Sequence, residues 1–183
     1  MKLGVICDGI SRDLRHALKV MDEFGLDYAE LQFVWDKEVG DHDASEIAQI
    51  KELLDTHNKP VSCLSRHIFA GLTTASKAGD KDHTRHMDYL KCVIEMAHQL
   101  NCPLVRIMTS KKEQILWGTN GAEHWNVAKG AWDTLPPLIA PAVDLARTEG
   151  VTLVVETGNG TMVNSNYTAV KLIDALDAKD VLK

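Results

Sequence analysis

Residues Gly150–Gly160 read GVTLVVETGNG, and this stretch decides how the chain is understood. Val151 to Val155 is an unbroken run of β-branched and leucine residues, as in a strand covered on both faces. It ends in a carboxylate, Glu156, followed by small polar residues that read as a loop. Side chains alternate along a strand, so if Val151, Leu153 and Val155 meet a covering helix, Thr152, Val154 and Glu156 face the other way. A charge on an enclosed strand face needs a partner or a task. For Glu156 the structural reading is an ion pair with Arg106. The functional reading is a working carboxylate.

Working back from this strand, the same pattern recurs. Leu3–Cys7 predicts a first strand with Asp8-Gly9 as its exit. Leu14, Ala17, Leu18, Met21 and Phe24 follow at helical spacing, with Gly25 where a helix C-cap belongs. Tyr28–Val34 predicts a second strand, its apolar face Ala29, Leu31 and Phe33, its other face Tyr28, Glu30 and Gln32. After the polar segment Trp35–Asp43, Ser45 is placed to cap a helix bearing Ile47, Ile50, Leu53 and Leu54. Pro60 opens a third strand, VSCLSRHIF (Val61–Phe69). The polar segment Ala70–Asp82 then leads to a helix carrying Met87, Leu90, Ile94 and Ala97. Leu104–Met108 is the fourth strand, with Val105 and Ile107 opposite Arg106, and the loop Thr109–Glu123 after it carries Trp117.

From Trp125 to Glu149 the pattern is helical, and Pro136, Pro137 and Pro141 predict a break into two pieces, because each removes an amide donor and crowds the preceding turn. Beyond the opening strand, Tyr167–Leu176 predicts a helix with Val170, Ile173 and Leu176 inward. Asp180–Lys183 reads as the start of a sixth strand.

The 183 residues suffice for one domain with a sizeable core, and 45% hydrophobic with 25% charged residues is ordinary globular composition. A net charge of −6 offers no clustered positive field for nucleic acid or anionic lipid. The opening MKLGVICDG is too short in its apolar run for a secretory signal, and no stretch has the length of a membrane span. Cys7, Cys63, Cys92 and Cys102 show no CxxC spacing, and a reduced, cytoplasmic setting is expected.

Five strand-then-helix units without a linker imply a parallel sheet with right-handed crossovers. Two architectures satisfy this: an open doubly wound sheet, or a partial (β/α)8 TIM barrel. A whole barrel takes about 250 residues, which favours the open sheet. The strand contents favour the barrel, because Asp8, Glu30, Arg106 and Glu156 all oppose the helix-packing face, and only a barrel mouth has room for four such residues.

YAELQFV (Tyr28–Val34), CLSRHIF (Cys63–Phe69), PLVRIM (Pro103–Met108) and GVTLVVET (Gly150–Thr157), in that order, resemble the xylose-isomerase-like TIM barrels. That family comprises sugar and sugar-phosphate isomerases and epimerases, with dehydratases and AP endonucleases among its relatives. The resemblance runs over essentially the whole chain, as about five βα units of eight. It implies a divalent cation (Mn2+, Mg2+, Co2+ or Zn2+) held by carboxylates and a His at four strand ends. Glu156 matches the first ligand, and the other three are expected beyond Lys183. Relatives often follow that Glu with Asn-His, where this chain has Thr157-Gly158-Asn159.

The resemblance implies metal-dependent proton abstraction next to a carbonyl, for which a base and a cation to steady the enediolate are needed. Glu156 is the catalytic and metal-binding candidate. Glu30 either hydrogen-bonds substrate or pairs with Arg106. His67 and Arg66 are placed to meet a hydroxyl or phosphate, and Arg106 is a further substrate-binding candidate. Trp35 and Trp117 are placed to stack on a sugar or to pack between loops. Asp41-His42-Asp43 reads as a solvated loop, and GNGTMV lacks the third Gly of a dinucleotide fingerprint. The alternatives are a dehydratase or lyase of a keto sugar acid on the same fold, or a flavodoxin-like small-molecule-binding protein. An AP endonuclease would need a basic groove and more histidines. A small-molecule sugar is the expected partner. The 183-residue chain alone is expected to be catalytically silent and to self-associate as a homo-oligomer or require a complementary piece.

Overall fold

The computed structural model describes residues 1–111 and 121–183. In chain order its elements are β1 (Gly4–Ile6), α1 (Leu14–Glu23), β2 (Tyr28–Leu31), β3 (Phe33–Val34), β4 (Lys37–Glu38), α2 (Ala44–Thr56), β5 (Val61–Leu64), α3 (Lys81–Gln99), β6 (Leu104–Ile107), α4 (Gly121–Glu149), β7 (Thr152–Val155) and α5 (Asn166–Ala175). A 3-10 turn, Cys7–Gly9, follows β1.

Five strands form one parallel sheet in the order β1-β2-β5-β6-β7. The order never reverses along the chain, whereas a doubly wound sheet requires a reversal at its switch point. An order that runs in one direction without reversal, with right-handed crossovers as the rule for parallel strands, is the winding of a barrel wall. The fold is therefore a partial barrel of five βα units, and the open doubly wound alternative is set aside.

The chain divides into two compact units. The first, Met1–Arg66 with Tyr89–Arg106, is built on Leu14, Leu18 and Met21 of α1, Ile47, Ile50 and Leu54 of α2, and the buried residues Ala29, Leu31, Leu64 and Val105 of the strands. Ile6, Glu30 and Cys63 share one cross-strand row, and Leu31, Leu64 and Val105 share the next. The second, His67–Asp88 with Ile107–Lys183, packs Leu135, Leu138, Ile139, Ala142, Val143 and Ala146 of α4 with Val151 and Leu153. Leu153 exchanges bonds with Val181 (2.7 Å) and Lys183 (2.9 Å), so Asp180–Lys183 begins strand-like pairing as its sequence predicts.

The five α-helices of the described residues stop the same way, at a residue in the left-handed region: Gly25 (φ 64°), Asn58 (51°), Asn101 (53°), Gly150 (69°) and Asp177 (45°). The amide after each bonds back into the last turn: Leu26 to Met21 O, Lys59 to Leu54 O, Cys102 to Ala97 O, Val151 to Ala146 O and Ala178 to Ile173 O, all within 2.9–3.1 Å. Such a stop satisfies helix carbonyls and turns the chain back toward the sheet.

Several expectations need correction. The second strand ends at Leu31, because the chain leaves the sheet to make the antiparallel β3–β4 hairpin, which turns at Trp35 with φ 56°. The cap of α2 is Asp43, whose carboxylate accepts from the Ser45 and Glu46 amides while Glu46 bonds back to the Asp43 amide. Leu53 is half-buried, outside the α2 core stripe. Phe24 is 76% exposed. Helix α4 is one helix despite Pro136, Pro137 and Pro141; the buried stripe from Leu135 to Ala146 runs through all three and holds the rod together. On α5, Leu172 is the buried residue, whereas Val170 is 53% exposed.

Candidate functional site: strand-end polar groups

In the first unit the ends of β2, β5 and β6 bring Glu30 and Arg106 to one residue, Ser65. The fully buried Ser65 hydroxyl donates to the Glu30 carboxylate, and Arg106 Nη2 donates to the Ser65 carbonyl at 2.9 Å. Both candidates are thus oriented through a serine that the sequence did not single out. A serine inside a strand pattern gives no signal until its neighbours are known. Asp8, after β1, accepts from the Phe33 amide at 3.2 Å and so ties the hairpin to the end of β1.

The thiols beside this group are inert. Burial pushes Cys7 up to about 12, with Asp8 and Glu30 adding to the effect. Burial likewise pushes Cys63 up to about 11. Neither is a thiolate nucleophile at neutral pH; each packs as a small hydrophobe.

Arg66 does not reach for a phosphate. It is 4% exposed, donates to Val39 O and Asp41 at 2.7 Å each, approaches Glu38 at 3.6 Å, and lies 4.2 Å over the Tyr89 ring. Its task is to hold the segment after β4 against α3. The Asp41–Asp43 segment is not wholly solvated either: His42 is 7% exposed, and its Nε2 donates to Val34 O at 3.1 Å. Trp35 is half-buried, edge-on to His42 with ring centroids 6.0 Å apart, and lines a separate cleft with α1 and α2.

In the second unit, Glu156 stands exposed one residue beyond β7, with its amide bonded to Ile107 O at 3.0 Å. The predicted alternation holds over Val151–Val154, where Val151 and Leu153 are buried and Thr152 and Val154 half-buried, but not at Val155, which is half-buried where the reading placed it against the covering helix. The loop after it is clipped to the tail of β6. Lys111 bridges Thr161, the Met162 amide bonds Ser110 O at 2.9 Å, and the Val163 amide bonds Thr109 Oγ1 at 3.1 Å. Thr161 Oγ1 donates within the loop, to Val163 O at 2.7 Å. His67 is exposed, three residues past β5. Trp117 lies outside the described residues.

Among the described residues no three His, Cys, Asp or Glu side chains converge on a point that could hold a cation. Glu156 is a single donor, so the described residues do not by themselves make a metal centre.

The sequence profile of the xylose isomerase-like TIM barrel family matches residues 18–183. Among curated proteins none matches the sequence. Of solved structures, the IOLI protein with a bound zinc atom superposes with a TM-score of 0.69 at 18% identity, over 100% of this chain and 61% of its own. The 3-keto-D-glucoside 4-epimerase YcjR of E. coli superposes with a TM-score of 0.65 at 15% identity, over 100% and 65%. D-psicose 3-epimerase in the presence of D-fructose gives 0.65 at 13%, over 100% and 62%. A Mycobacterium smegmatis relative in complex with magnesium is covered over 54% of its length, so the chain spans between half and two thirds of these proteins. The unreversed strand order and the profile over residues 18–183 agree, and the chain belongs to the xylose isomerase-like TIM barrel family.

Proposed function

We propose that the protein carrying this chain is an isomerase or epimerase of a sugar or sugar phosphate, acting by proton abstraction next to a carbonyl. The observation that carries the reading is Glu156: an exposed carboxylate at the C-terminal end of a barrel strand, the end from which enzymes of this architecture work, with its following loop clipped in place. The likeness to a keto-glucoside epimerase and a psicose epimerase supports the same chemistry.

In this proposal Glu156 accepts the proton α to the carbonyl; in an isomerase it returns that proton to the neighbouring carbon on the same face, and in an epimerase a second acid on the opposite face supplies the returning proton while Glu156 keeps the one it took. Within the first unit, the Ser65 hydroxyl holds the Glu30 carboxylate and the Ser65 carbonyl holds Arg106, a combination of acceptor and cationic donor suited to a vicinal diol. His67 is assigned a substrate hydroxyl or phosphate. A divalent cation belongs to the proposal, with Mg2+ and Zn2+ suggested by structures of relatives, and Glu156 is one donor to it. The described residues bring no three metal-ligating side chains together, and Glu156 is the donor they offer it.

The test is hydrogen exchange in D2O with D-fructose, a fructose phosphate or a 3-keto-glucoside, in the protein that carries this chain and with each divalent cation in turn. Deuterium uptake next to the carbonyl is expected, and Glu156→Gln abolishes it while leaving the far-ultraviolet circular dichroism unchanged, because the amide keeps the size but loses the charge. Exchange at the wild-type rate in Glu156→Gln, or none with any of these sugars, ends the reading. Loss of water from a keto sugar acid would move it to the dehydratase alternative.

A further inference from the structure

A cleft of about 500 Å³ opens in the first unit between the start of α1 and one face of α2, and no strand-end group described above lines it. Its size is that of small-molecule sites. Gln49, Glu52, Leu53 and Thr56 line it at i, i+3, i+4 and i+7, which is one stripe of α2, set round the helix from the core stripe of Ile47, Ile50 and Leu54. Asp13, Arg15 and Trp35 complete the wall.

Trp35 reaches this position through a backbone that bulky side chains seldom adopt, with φ at 56°. Its amide bonds Arg12 O at 2.7 Å, and its ring abuts His42. Leu53, the one aliphatic residue in the wall, leaves the core to lie there. Meanwhile the side chains of Arg15, Gln49 and Glu52 make no hydrogen bond or ion pair with any described residue.

These groups select a ligand class. An aliphatic molecule would strip water from Arg15, Gln49 and Glu52 and give nothing back. An anion would meet the carboxylates of Asp13 and Glu52 against the single guanidinium of Arg15. A neutral sugar ring fits on both counts. Each of its hydroxyls donates and accepts, as the alternation of Arg15, Gln49 and Glu52 requires, and its C–H face can lie on the indole. The geometry points to a carbohydrate-binding cleft for a neutral sugar ring between α1 and α2, built from residues other than the strand-end groups. It stands whether or not the catalytic reading of Glu156 holds.

The test follows the Trp35 indole N–H resonance of 15N-labelled protein, assigned by its loss in Trp35→Phe, during separate titrations with D-glucose, D-fructose, a sugar phosphate and tetramethylammonium. Saturable shifts with a neutral sugar are expected, weakened about tenfold or more in Glu52→Ala and Gln49→Ala and unchanged in Glu156→Gln. Glu52 and Gln49 are exposed and lie off the core stripe, so the fold survives their truncation; circular dichroism checks this. No saturable shift with either neutral sugar overturns the assignment. Tighter binding of tetramethylammonium or of the sugar phosphate, or wild-type affinity in both alanine variants, overturns it too.

Discussion

Gly40 shows how one atom limits the substitutions that the segment after β4 accepts. It has φ 91°, and a Cβ built there would stand 2.8 Å from Val93 Cγ2 and 3.1 Å from the Val93 amide nitrogen, with Arg66 Nη1 at 3.4 Å. The backbone of α3 cannot yield, so Gly40→Ala is expected to destabilise by about 2 kcal/mol or more, read as a lower denaturant midpoint. Arg66→Ala should act on the same segment, because Asp41, Glu38 and Val39 O lose a shared donor and Tyr89 loses its stacked guanidinium. Lysine should not rescue it, since an ammonium lacks the planar fork. If Arg66→Lys matches wild type in thermal melting, the knot is not what holds this segment. At this scale the sequence was legible for Glu30 and Arg106, whose charges contradict a strand environment and which meet at Ser65. It was silent on Ser65 and wrong on His42, which it placed in a solvated loop although His42 is buried against Val34, because both roles depend on contacts that residue type does not announce. It misled at Arg66, because a buried guanidinium with several partners looks, in sequence, like one awaiting an anion.

Helix ends carry the same lesson. Gly25 announces its left-handed stop through residue type alone, but Asn58, Asn101 and Asp177 do the same work, and asparagine and aspartate serve equally in caps and loops. Asn58→Ala should therefore cost about 1 kcal/mol, because alanine meets the full left-handed penalty, whereas Asn58→Gly should be neutral or stabilising. Equal unfolding midpoints for the two variants would show that backbone conformation is not the cause. The β3–β4 hairpin escaped the reading because its turn, Trp35-Asp36, has none of the Asn-Gly or Asp-Gly chemistry that marks tight hairpins. The prolines of α4 were over-read: local propensity forecasts a break, but the buried stripe from Leu135 to Ala146 overrides it.

For the molecule as a whole, acid is the expected weak side. Hydrogen bonds from His57 and then Lys59 hold the Asp22 carboxyl below its ordinary range, and the Glu46 amide and the Ser45 side chain do so for Asp43. Arg147 takes Asp180 from 3.8 to about 2. A depressed carboxyl contributes stability above its unfolded value and loses it as pH falls through the folded one, so the thermal midpoint should drop between about pH 4 and pH 2. Asp180→Asn should flatten part of that slope, and an unchanged slope would remove the Arg147 pair from the account. The sheet order gives the last expectation. β1 ends that order, and beside it Leu3 is 48% and Ile6 36% exposed. A strand edge flanked by exposed apolar groups is a template for another strand, and Lys2 beside it is drawn aside to the Tyr28 hydroxyl at 2.8 Å. Against this stands a net charge of −6, whose repulsion salt screens. The 183-residue chain should therefore sediment above its 20.2 kDa monomer mass, more so as salt rises. Ile6→Lys, which sets a charge on that edge, should return it toward the monomer. If wild type and Ile6→Lys are both monomeric at every salt concentration, the β1 edge is protected by something other than a second strand, and the association predicted for this chain fails with it.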